Sequence, residues 1–66
     1  MEEEINSFII FCIEAYKEKD NQSGADVYNL FKEKGVLEYL RDGYDVLHTQ
    51  GMYYLIDDIA EFIENH

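Results

Sequence analysis

EEINSFIIFCIEAYKEK, residues 3–19, is the stretch that decides the fold. Placed at about 100° per residue, Ile5, Phe8, Ile9, Cys12, Ile13 and Tyr16 fall on one face. Glu3, Ser7, Glu14 and Glu18 fall on the other. That is a helix with a core-facing side, and Glu2, Glu3 and Glu4 stand where the helix dipole favours anions. Ile10 and Phe11 break the pattern, landing on either flank of the polar face. Either other helices wrap around and cover them, or one of them lies in an interface.

Working outward, residues 20–24 (DNQSG) are a turn by composition. Ser23 is a good N-cap, and Asp26 stands at the third helical position in the manner of a capping box. The helix that follows runs to Lys34, with Val27, Tyr28, Leu30 and Phe31 as its apolar face. Gly35 reads as its left-handed terminator and Val36 as the hydrophobic contact beyond it. A short helix over 36–42 turns Val36, Leu37 and Leu40 inward, and Gly43 ends it. Residues 44–50 predict one helical turn. Residues 52–56 (MYYLI) are aromatic and β-prone, which predicts a short extended segment in need of a mate. Asp57 then caps a last helix to about Asn65, with Ile59, Phe62 and Ile63 inward. The fold class is all-α: a compact bundle of four to five short helices, with a possible extended segment at 52–56, in one domain over residues 1–66. The eight-residue spacing of Gly35, Gly43 and Gly51 reads as helix punctuation and not as a repeat.

Fifteen Asp and Glu face five Lys and Arg, for a formal charge of -10. Residues 1–16 hold four acids and no base, residues 17–41 five of each, and residues 42–66 six acids and no base. An acidic chain lacks the cationic surface that nucleic acid and anionic membranes require, so neither is expected as a partner. The longest apolar run, Phe8 to Ile13, is far below the about 20 residues of a membrane span. Cys12 is the single cysteine, and the start Met-Glu-Glu-Glu is the opposite of a basic signal-peptide region. Both features predict a cytoplasmic protein without disulfides.

The segments SGADVYNLF (23–31), YDVLHTQG (44–51) and IDDIAEFI (56–63) together resemble a family of small proteins from Firmicutes and related gut bacteria. It is catalogued as a domain of unknown function, number thirty-seven ninety-one. The resemblance covers nearly the whole chain, and the Tyr-Asp-Val-Leu-His-Thr stretch is its most specific part. It implies no assigned activity. Members encoded beside ADP-ribosyltransferase-like proteins imply an antitoxin- or immunity-like setting.

His48 is the sole internal histidine, with Asp45 three and Tyr44 four residues before it. On a helix the three are neighbours. They can fix a tight turn, contact a partner or support acid–base work. A Cys–His pair is not expected, because Cys12 lies on an apolar face where a thiol is inert. Asp57, Asp58, Glu61 and Glu64 lack the alternating ligands and turn glycine of a calcium loop and read as a solvated face. No cofactor, metal or catalytic residue is therefore expected. Tyrosine joins apolar area to a polar tip and suits interfaces. Tyr16 and Tyr28 lie on core faces, which leaves Tyr39, Tyr53 and Tyr54 as interface candidates beside Ile10 and Phe11. Local structure does not account for the acids Asp58, Glu61 and Glu64 on the last helix, or for Glu14 and Glu18 on the first. The sequence thus predicts a non-enzymatic protein–protein interaction module that self-associates or holds a larger basic partner. The alternative is an acidic helix-turn-helix-like regulator, built on the helices at 24–34 and 36–42.

Overall fold

The computed structural model of the chain describes residues 2–65. Five helices follow one another: α1 (Glu2–Asp20), α2 (Gly24–Glu33), α3 (Val36–Asp42), α4 (Tyr44–Leu47) and α5 (Met52–Glu64). No strand occurs among the described residues. α1 packs against α2, α3 and α5, and α3 also touches α2, α4 and α5. The core draws from every helix: Ile9, Cys12 and Tyr16 from α1, Val27 and Phe31 from α2, Val36 and Leu40 from α3, Leu47 from α4, and Leu55, Ile56 and Ile59 from α5. No helix among the described residues is long and apolar enough to cross a membrane.

Each helix ends for a local reason. α1 stops at Asn21, whose φ of 55° is left-handed. The Gln22 N–H then reaches back to the Lys17 carbonyl at 3.1 Å, closing a Schellman turn. Asparagine tolerates that region because its short amide compensates locally. α2 begins as its sequence predicts, with Ser23 Oγ accepting the Asp26 N–H at 3.1 Å. Gly35 has φ 78° and separates α2 from α3. Gly43 has ordinary dihedrals, but a Cβ there would stand 2.8 Å from Leu47 Cδ1 and 3.2 Å from the Tyr39 carbonyl oxygen. The absent side chain is what lets α4 fold back tightly on α3.

Gly35→Ala forces a Cβ into the left-handed region, which costs about 1–2 kcal/mol. In a domain of this size the melting temperature is expected to fall by roughly 5–10 °C, as thermal circular dichroism would record.

Several expectations require correction. Residues 52–56 are not extended: they are the first turns of α5, and Asp57 lies in the body of that helix, not at its cap. Gly51, with ψ 152°, holds the cap position. Met52, Leu55, Ile56, Ile59 and Ile63 continue one helical period straight through the aromatic stretch, and burying that stripe outweighs the β-preference of Tyr53 and Tyr54. Tyr28 is not a core residue, being 46% exposed. Val27 and Phe31 centre the buried face of α2, and Tyr28 falls outside them on its rim. Nor do other helices cover Ile10 and Phe11, which remain 61% and 57% exposed.

Candidate binding surface

Of Tyr44, Asp45 and His48, the first and last contact each other. The rings of Tyr44 and His48 stack at 4.2 Å and 7°. His48 Nδ1 donates to the Tyr44 carbonyl. Phe8 meets the Tyr44 ring edge-on at 5.4 Å. Thr49 Oγ1 donates to the Val46 carbonyl at 2.7 Å. Together these contacts dock the single turn of α4 on α1 and close the following loop. Asp45 is exposed. Cys12 is fully buried in the core, and burial pushes its thiol up to about 12. His48, by contrast, is exposed. Among the described residues no three His, Cys, Asp or Glu side chains converge to hold a metal ion.

Some of the acids acquire local partners. Tyr39 Oη donates to Asp58 Oδ2 at 2.7 Å, and the Tyr39 ring stacks on Phe62 at 4.4 Å. Tyr39 and Asp58, both candidates for an interface, thus serve the fold itself by locking α3 to α5. Burial, then the Asp58 hydrogen bond, raises the Tyr39 hydroxyl to about 12. Glu14 pairs with Lys17 at 3.3 Å, and Glu2 pairs with Arg41 at 3.5 Å. Both pairs are exposed and stabilise by at most about 1 kcal/mol each. They nonetheless occupy two of the five bases. Glu18, Glu61 and Glu64 are exposed.

Four of the remaining candidates, Tyr53, Tyr54, Glu61 and Glu64, lie on α5. Tyr53 and Tyr54 are 90% and 78% exposed, adjacent on the first turn of the helix. Two grooves flank them. One, of about 520 Å³, runs between α1 and α5. Ala15, Met52 and Ile56 give it an apolar floor, and Glu18, Lys19, Tyr53 and Asp57 form its rims. The other, of about 470 Å³, lies against the outer side of α5 and is lined by Tyr54, Asp57, Asp58 and Glu61 with the Gln50–Gly51 approach. Asp57 borders both. A ridge of Tyr53, Tyr54 and Asp57 therefore separates an apolar trough from an acidic one.

Ala15, Met52, Ile56 and Asp57 were not among the candidates that the sequence suggested. The signal for the three on α5 is the helical period running from Met52, which an extended segment over 52–56 hides. Ile10 and Phe11 do not line either groove, although both are exposed on α1.

No curated protein and no solved structure matches the chain. One family model does, that of "Protein of unknown function (DUF3791)", over residues 7–66. With the match running from the first turns of α1 through the whole of α5, the chain belongs to that family.

Proposed function

We propose that this domain is a non-enzymatic protein-binding module whose partner is another, basic protein. The observation that carries the reading is the pair Tyr53 and Tyr54, 90% and 78% exposed beside a row of carboxylates. Aromatic area left in water forgoes roughly 25 cal/mol for each Å² that burial would gain. A 66-residue domain has little core to spare, so large rings held outside it are better explained by a partner than by the fold. The net charge of -10 argues for a partner of opposite sign, because complementary fields speed encounter and like fields oppose it. The same argument disfavours a second copy of this chain. It also disfavours nucleic acid: α3 exposes Glu38 and Asp42 beside Arg41, which is already paired with Glu2. An antitoxin- or immunity-like role, in which a small acidic domain caps a larger basic protein, is one form such binding takes.

The test is capture by the tagged chain in the cells that produce it, with light scattering of the chain alone alongside. A basic protein retained at low salt and released at high salt is the expected result, from a domain that is itself a monomer. A wild-type chain that retains no protein, or that scatters as a stable dimer, would contradict the reading.

A further inference from the structure

We infer that the groove between α1 and α5 is the seat of an amphipathic, cationic segment of the partner protein, a helix with apolar residues on one side and Lys or Arg on the other. The inference rests on the protein-binding reading above and adds the place and the chemistry of contact.

The floor of the groove supplies the apolar half of the match. Ala15 on α1 faces Met52 and Ile56 on α5 across a trough of about 520 Å³, walled by the exposed Tyr53 ring. Apolar side chains of a helix, three or four residues apart, would lie along it as they do in other helix-in-groove complexes. The rims supply the charged half. Glu18 stands on the α1 side and Asp57 on the α5 side, with Lys19 the single base on either rim. Beyond the tyrosine ridge the second groove adds Asp58 and Glu61. Asp58 is already held by the Tyr39 hydroxyl, which fixes the position of its carboxylate. A segment seated on the apolar floor would therefore meet carboxylates on both sides of its long axis. Basic side chains reaching over the ridge would also pass the faces of Tyr53 and Tyr54, where a cation is attracted to the ring.

Charge complementarity selects this occupant over the others. A second copy would bring another net -10 against these rims. An acidic peptide would do the same, and like charges at close quarters oppose binding. α5 carries Asp57, Asp58, Glu61 and Glu64 without any base, so no residue of its own helix offsets the row.

The test uses a fluorescein-labelled Leu/Lys amphipathic peptide of about 14 residues, long enough for a helix matching α5. Its counterpart has Glu in place of every Lys. Anisotropy gives affinity, and amide shifts of the labelled domain give location. The Leu/Lys peptide is expected to bind saturably, with shifts at Ala15, Glu18, Met52, Tyr53 and Asp57. Glu18→Lys with Asp57→Lys should weaken it by about ten-fold, and Tyr53→Ala by about five-fold. Glu33→Lys with Glu38→Lys changes net charge equally at exposed sites on α2 and α3, and should alter affinity by less than about two-fold. All five positions are exposed, so the variants keep the fold, and circular dichroism checks that they do. Equal weakening by both charge pairs would overturn the assignment. So would shifts centred elsewhere, equal affinity for the Glu peptide, or no saturable binding of the Leu/Lys peptide. If wild type captures a protein in cells while any of these results holds, the groove is wrong and the binding reading survives. A wild type that captures nothing removes both.

Discussion

Replacing Phe31 by alanine should remove at least about a third of the chain's stability. Phe31 is fully buried and its ring meets Tyr16 edge-on at 5.4 Å, joining α2 to α1 at the centre of the core. Removing a buried phenyl ring costs about 3–5 kcal/mol, because the surroundings close over the void only in part. At roughly 0.05–0.15 kcal/mol per residue, a domain of this length has a total stability of about 3–10 kcal/mol. The lone cysteine excludes an internal disulfide, so no covalent link limits the loss. The thermal transition followed by far-ultraviolet circular dichroism should drop by at least about 12 °C or vanish. A Phe31→Ala protein with a sharp transition near that of the wild type would show that the core is not organised around this ring.

The second large effect is alkaline destabilisation through Cys12. Burial raises the thiol from 9.0 to about 12, so its native pKa lies above the unfolded one. The stability this group contributes is complete below about pH 9 and is lost as pH climbs towards 12, since the unfolded chain releases its proton first. Each pH unit in that window removes about 1.4 kcal/mol. Between about pH 8 and pH 10.5 the loss comes to about 2 kcal/mol, a large part of a small domain's stability. Tyr39 and Tyr16 act in the same direction at higher pH. Burial and the Asp58 hydrogen bond raise the first, and burial, Asp20 and Glu64 raise the second. Urea midpoints measured across this range should fall with pH for the wild type. Cys12→Ala should start from a lower midpoint and show a shallower decline from pH 9. Parallel declines in the two proteins would assign the alkaline loss to other groups.

How much of this was legible in the sequence depends on what each residue answers to. Ser23, Asp26 and Gly35 act on backbone within three residues of themselves, and the α2 boundaries could be read from them almost directly. The face of α1 was equally plain, because Ile9, Cys12 and Tyr16 repeat at helical spacing. The start of α5 was hidden by a conflict between two local signals. Tyr53 and Tyr54 favour strand, while Met52, Leu55, Ile56 and Ile59 mark a helix. The conflict is settled by packing against α1 and α3, which no local pattern contains. Asn21 was legible in principle, as a residue that accepts left-handed dihedrals after a polar helix end.

The candidate surface was legible in its parts and not in its assembly. Tyr53, Tyr54, Asp58 and Glu61 stood out by type. Ala15, Met52 and Ile56 did not stand out by type, and only the crossing of α1 with α5 makes them the floor of a groove. Tyr39 and Asp58 are 19 positions apart, so their hydrogen bond could not be anticipated from spacing. The leftover acidity of the chain is thereby narrowed. Glu14 and Glu2 answer to Lys17 and Arg41, and Asp58 answers to Tyr39. Glu18, Asp57, Glu61 and Glu64 are the exposed acids on or facing α5, around the proposed groove.

Quantitative capture from the producing cells by three tagged chains tests the central claim most directly. These are the wild type, the groove variant Glu18→Lys with Asp57→Lys, and the distant variant Glu33→Lys with Glu38→Lys. The expected result is one basic protein held by the wild type and the distant variant and largely lost from the groove variant. Equal retention by all three, or none by the wild type, would contradict it.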